Sequence, residues 1–78
     1  MTRSGFRSSL EEILGVPAGA LQDSDSRETL EAWSSIADVQ ILASITSELG
    51  IEPDAELMEA ETAGDLIEIL EDRGAFSA

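Results

Sequence analysis

Apolar residues recur at helical spacing in three stretches of this chain, and no stretch alternates with the period of two that marks a half-buried strand. The first stretch places Phe6, Leu10, Ile13 and Leu14 on one face, with Gly15 as a stop. Ser9-Leu10-Glu11-Glu12 reads as an N-cap serine with an acidic first turn, which suits the positive end of a helix dipole. This helix is therefore expected over about residues 8–14. The second stretch follows Ile36, Val39, Ile41, Leu42, Ile45 and Leu49. It predicts a helix over 35–49 closed by Gly50, with Asp38, Ser44, Ser47 and Glu48 turned to solvent. The third gathers Leu66, Ile67, Ile69 and Leu70. Thr62 and Asp65 supply the N-cap and N3 acid of a capping-box variant, so this helix should run to about Asp72 with Gly74 closing it.

Between the first two helices, Val16-Pro17-Ala18-Gly19 interrupts regular structure and Gln22-Asp23-Ser24-Asp25-Ser26 is polar and turn-rich. Residues 16–34 thus read as a long loop anchored by Val16, Leu21, Leu30 and Trp33, with a short helical turn at about 27–32. Loops of this length tend to be functional or packed by their own side chains. Ile51-Glu52-Pro53-Asp54 reads as an extended connector, because the residue before a proline avoids the helical region. A short helix over 55–59 would bury Leu57 or Met58. The expectation is an all-α fold of three main helices plus one short helix. It forms a single domain over 1–78, with its core in about 8–73.

Composition narrows the function. Seventy-eight residues lie near the lower size at which one core holds without staples, and with no cysteine there is neither a disulfide framework nor a thiolate metal site. Seventeen acids against four arginines give a net charge of −13, which repels nucleic acid and anionic lipid. Such a field favours partners with basic docking surfaces, or serves solubility alone, and makes a monomer the default. The 42% hydrophobic content, at clear helical period, argues against disorder. The two arginines near the start are followed by no apolar h-region, so no secretory signal is read there. No apolar run reaches the roughly 20 residues that span a bilayer. The default location is the cytoplasm.

Candidate chemistry is sparse. Without His, Cys, Tyr or Lys the chain has no credible base, nucleophile pair or metal cage, which argues against an enzyme. The acidic third and fourth helices contain no Asp-x-Asp-x-Asp-Gly loop and read as a solvated face. The segment that stands out is Trp33-Ser34-Ser35-Ile36-Ala37-Asp38-Val39-Gln40-Ile41-Leu42, a serine pair at the mouth of an amphipathic helix. Ser35-Ile36-Ala37-Asp38 by itself makes a Ser-x-x-Asp capping box, and a serine there needs no covalent role. The alternative is a hydroxyl that another enzyme modifies. Trp33 either anchors the loop to the core or contacts a partner. Met58 and Phe76 read as gap-filling or tail packing.

The order of these elements resembles the acyl carrier and peptidyl carrier protein superfamily, most closely its stand-alone members of specialised metabolism. Trp33-Ser34-Ser35-Ile36 is similar to the family's Trp-Asp-Ser-Leu lead-in to its second helix. Glu48-Leu49-Gly50-Ile51 resembles the acidic-Phe/Leu-Gly-Ile stretch that ends it. Pro53-Asp54-Ala55-Glu56, the Thr62 cap and Ile13-Leu14-Gly15-Val16 match the family's later turn, last helix and first-helix end. The likeness covers roughly 8–73.

What the resemblance implies is an acyl-carrier-like bundle with a long loop between helices 1 and 2. In such proteins a phosphopantetheinyl transferase moves 4′-phosphopantetheine from coenzyme A onto the serine before the Leu or Ile, here Ser35. The chain would then present thioester-bound acyl or aminoacyl groups. A loading enzyme and downstream enzymes of a polyketide or nonribosomal-peptide type pathway, as in antibiotic biosynthesis, would be its partners. Trp33, Ser34, Ile36, Asp38 and Val39 would form the docking surface around the serine. Where the family usually has Asp before that serine, this chain has Ser34. The departure supports the alternative of an unmodified, carrier-like interaction module. Asp38, one turn beyond Ser35, is a candidate source of local acidity. Gln40, Thr46 and Ser47 stand where the family often has acids, which points to partners other than the general fatty-acid enzymes.

Overall fold

The computed structural model describes residues 1–77. It is all-α, with helices α1 (Arg3–Leu14), α2 (Ser35–Ser44), α3 (Ala55–Glu59) and α4 (Ala63–Asp72). Among the described residues the only β pairing is two isolated bridges, Thr2 with Ser77 and Ser26 with Thr62. Helix α1 packs on α2 and α4, and α3 packs on α4. Phe6, Leu10, Leu14, Ile45, Ile67 and Leu70 are the largest fully buried side chains at the centre. Each such burial contributes roughly 1.5–3 kcal/mol before entropy is counted.

Four helix ends follow local signals. Thr62 accepts the Asp65 N–H at 3.0 Å and Asp54 accepts the Leu57 N–H at 3.1 Å, so α4 and α3 begin at side-chain caps. Gly15 and Gly50 take the left-handed conformation after α1 and after the helical run that continues α2, where a side chain would be strained. That run, Ile45–Leu49, widens to π-helical spacing. Thr46 Oγ1 donates back to the Leu42 carbonyl at 3.2 Å and Ser47 Oγ to that of Ser44 at 3.4 Å. Hydroxyls that bond back to the preceding turn compete with the backbone ladder of a helix. In α3, Leu57 is the buried residue, while Met58 is 61% exposed rather than filling a gap.

Helix α1 starts well before the expected serine. Its N-cap is Thr2, whose hydroxyl accepts the Gly5 N–H at 3.0 Å. The added turns are held by the chain's far end. Ser77 N–H donates to the Met1 carbonyl at 2.9 Å, and the Phe6 and Phe76 rings lie 5.6 Å apart. Ser9 consequently sits in mid-helix, and Glu11 and Glu12 fall near the C-terminus instead of forming an acidic first turn. Glu11 is buried, and its Oε2 accepts the Leu21 N–H at 3.1 Å.

The long loop is packed against the helices. Arg7, one turn before Glu11, donates to the Leu21 carbonyl and to Asp23, both at 2.6 Å, so α1 holds Leu21 by both of its backbone polar groups. The loop in turn caps α4: Asp25 O accepts the Ala63 N–H and Asp23 O accepts the Gly64 N–H, each at 2.9 Å. The expected helical turn at 27–32 is a pair of hydrogen-bonded turns. Leu30 N–H reaches Ser26 O at 3.0 Å and Trp33 N–H reaches Leu30 O at 3.0 Å. Thr29 and Ser26 side chains take backbone and carboxylate partners here, which favours turns over a continuing helix.

Candidate functional site

The serine pair lies at the head of α2, and the two residues have different roles there. Ser34 is the N-cap, with extended backbone and a hydroxyl that accepts the Ala37 N–H at 3.4 Å. Ser35 is the first helical residue, exposed, and its hydroxyl stands outside the cap. The Ser35–Asp38 capping box is therefore corrected by one position. Asp38 does not reach back to the cap either, because its carboxylate is engaged elsewhere.

Those other partners are Trp33 and Arg27. Trp33 Nε1 donates to Asp38 Oδ1 at 2.6 Å. Arg27 forks onto the same carboxylate, Nε to Oδ2 at 2.7 Å and Nη2 to Oδ1 at 2.8 Å. Its guanidinium carbon also lies 5.5 Å from the Trp33 ring centroid, within cation–π range. Arg27 Nη1 extends to the Ala60 carbonyl at 3.4 Å, between α3 and α4. Partial burial pushes the Asp38 carboxyl upward most strongly, but the hydrogen bonds from Arg27 and Trp33 and the Arg27 charge together outweigh it. The net position is below the usual carboxylate value. Asp38 is thus an ionised structural partner, not free acid beside Ser35.

Trp33 is 4% exposed and belongs to the core, as an anchor of the loop. Ile36 and Val39 are the opposite case. They were expected on the apolar face, yet they are 72% and 66% exposed. Helical geometry explains this. Ala37, Ile41 and Ile45 recur every fourth residue and are buried, and on a 100° wheel Ile36 and Val39 lie on the far side of that stripe. Ser35, Ile36 and Val39 therefore face outward together, whereas Trp33 and Asp38 face inward.

Beside this surface a cleft of about 230 Å³ opens between α2 and α3. Val39, Ile41, Leu42, Leu57 and Met58 supply apolar walls, and Arg27, Trp33 and Asp38 line it as well. Met58 on α3 joins Val39 as exposed apolar lining. Sequence reasoning passed over Arg27 and Met58 as site residues. The one cue to Arg27 was its place as the only basic residue between Arg7 and Arg73.

The electrostatics around the site are one-sided. All four arginines pair with acids: Arg3 with Glu71, Arg7 with Asp23, Arg27 with Asp38, and Arg73 with Asp54 and Glu56. The excess carboxylates are left to set a strongly negative surface. No described helix is long and apolar enough to cross a membrane. Comparison with family models, with curated proteins and with solved structures finds no match to this chain.

Proposed function

We propose that this chain is a discrete acyl or aminoacyl carrier protein that takes 4′-phosphopantetheine from coenzyme A on Ser35. The observation that carries the reading is the hydroxyl of Ser35. It is exposed on the first residue of α2, released from capping by Ser34, and flanked by the outward apolar pair Ile36 and Val39. Support also comes from the element order, in which α1, a long anchored loop, α2, the short α3 and α4 follow the carrier-like plan.

The residues fit the group chemically. A phosphodiester on Ser35 would lie at the first turn of α2, where backbone N–H groups and the dipole favour an anion. Ser35 Oγ attacks the β-phosphorus of coenzyme A, forming a new P–O bond. The bond from that phosphorus to the bridging oxygen breaks, adenosine 3′,5′-bisphosphate leaves, and the serine proton passes to a base of the transferase. The terminal thiol of the arm carries the cargo as a thioester, chemistry the chain itself does not supply. Ile36, Val39 and Met58 offer apolar contact to the transferase and to loading and downstream enzymes, and the acidic surface favours basic docking faces.

A second reading, an unmodified carrier-like interaction module, is favoured by Ser34. It occupies the position where the resembling family usually has Asp, and it acts as a plain helix cap. Intact mass after incubation with coenzyme A, Mg²⁺ and a broad-specificity phosphopantetheinyl transferase separates the two. The carrier reading predicts one phosphopantetheine on the wild type and on Ser34→Ala, and none on Ser35→Ala. No addition to the wild type, under conditions that load a control carrier, would favour the module.

A further inference from the structure

We infer that Trp33, Asp38 and Arg27 form a clamp that sets the direction of the Ser35 hydroxyl for group transfer, an inference that rests on the reading of Ser35 as the modified residue. Trp33 directly precedes the N-cap Ser34, and Asp38 is the fourth helical residue of α2. Apolar side chains at these two positions commonly pack together and fix the angle at which a chain enters its helix. Here the link is the hydrogen bond from Trp33 Nε1 to Asp38 Oδ1 at 2.6 Å. It closes the segment into a ring with Ser34 and Ser35 inside it.

That ring is fastened on two further sides. The Trp33 side chain is buried in the core, so its indole is a fixed point. Arg27 holds Asp38 through two nitrogens, lies over the Trp33 ring, and reaches the Ala60 carbonyl. The serine-bearing turn is thereby referenced to the loop, the core and the end of α3. The Ser34 cap bond alone, at 3.4 Å, is too long to define that turn well. Trp33, Asp38 and Arg27 are positioning residues, acting on Ser35 through the backbone between Trp33 and Asp38.

Kinetics distinguish a positioning clamp from one that only stabilises the fold, because this chain is the substrate of the transferase. A partly unfolded pool lowers the concentration of competent substrate and raises apparent KM. A misdirected hydroxyl lowers kcat at saturating carrier. The clamp variants leave Ile36 and Val39, on the outward face, unchanged.

The test measures initial rates of phosphopantetheine addition to the full chain across carrier concentration, for Trp33→Phe, Asp38→Asn, Asp38→Ala, Arg27→Ala and Arg27→Lys. Far-UV circular dichroism reports the folded fraction of each. The expected result is a kcat lowered on the order of tenfold in Trp33→Phe and Asp38→Ala, within the cost of ångström-scale misplacement, at nearly unchanged KM. Asp38→Asn keeps an acceptor for Trp33 and should fall between, and Arg27→Lys should recover part of the rate lost in Arg27→Ala. Should Trp33→Phe fail to fold, the partly exposed Asp38 and Arg27 carry the comparison. Unchanged kcat in folded variants, with or without a raised KM, would overturn the clamp while leaving Ser35 as the modified residue. A wild-type chain that accepts no group would overturn both.

Discussion

Replacing Gly64 by alanine sets two physical effects against each other, and the structure decides the sign. Gly64 is the second residue of α4, and alanine in a helix is favoured over glycine by about 1 kcal/mol. Propensity alone therefore predicts a more stable protein. A Cβ at this position, however, would lie 2.9 Å from Asp23 Cβ and 3.0 Å from Asp23 O. Relief requires the loop backbone to move, since the nearest atoms belong to Asp23 itself rather than to a flexible side-chain tip. That movement stretches the bond from Gly64 N–H to Asp23 O and the neighbouring one from Ala63 N–H to Asp25 O. It also strains the hold of Arg7 on Asp23.

Overpacking of this kind costs about 1–3 kcal/mol, and each weakened backbone bond adds up to roughly 1 kcal/mol. With the two bonds each losing about half of that and the propensity gain subtracted, the net destabilisation is about 1–3 kcal/mol, or a Tm lowered by at least about 4 °C in a domain of this size. Urea titration and thermal melting followed by circular dichroism measure it. Gly5→Ala is the control, because its Cβ would meet only the side chains of Thr2 and Met1, at 3.2 and 3.4 Å. With only side-chain tips to shift, it should keep most of the propensity gain and be as stable as the wild type or more so, by up to about 1 kcal/mol. A Gly64→Ala protein as stable as the wild type would refute the close docking of the loop on α4.

The lowered Asp38 carboxyl makes a signed prediction. Its folded value lies below the ordinary 3.8, so its contribution is present above that value and is lost as pH falls through the lowered one. Asp38→Asn should therefore be less stable than the wild type at neutral pH, with the gap closing below about pH 3.8 in pH-dependent urea melts. Ile36→Ser and Val39→Ser, on the outward face, should change stability by less than about 0.5 kcal/mol while raising the KM for phosphopantetheine transfer. Equal loss of stability and transfer would show these side chains to be core residues after all. Raising ionic strength from about 0.01 to 0.15 M shortens the screening length from about 30 to 8 Å. The molecule measures 29 × 25 × 20 Å and carries a net −13, so Tm should rise with added salt, despite some weakening of exposed ion pairs. A Tm that falls would mean that the arginine pairs dominate.

Much of the helical plan was legible because its signals are local. The Thr62 cap, the Pro53 break and glycines 15 and 50 each act within one turn, and α2, α3 and α4 start where the pattern placed them. The start of α1 was not legible, since Met1, Thr2 and Phe6 are held by contacts from the chain's other end, through Ser77 and Phe76. At the site, Ser35 is proposed from its place before Ile36, and the structure moves the helix cap by one position, to Ser34. Two adjacent serines carry equal local propensity, and the choice depends on Asp38 being drawn away by Arg27 and Trp33. Ile36 and Val39 were counted with the buried face because they fall at helical spacing from other apolar residues, although on the wheel they lie opposite the Ala37–Ile41–Ile45 stripe. The Arg27 fork joins residues eleven apart, from the loop into α2, beyond the reach of any periodicity argument.

The most direct test of the carrier account exploits the absence of cysteine. Protein isolated from the cells that make it is treated with hydroxylamine to release any thioester, and its thiols are counted per chain alongside its intact mass. The account predicts one thiol per chain and a mass increased by one phosphopantetheine, with the added group mapping to Ser35. No thiol and an unmodified mass would contradict it.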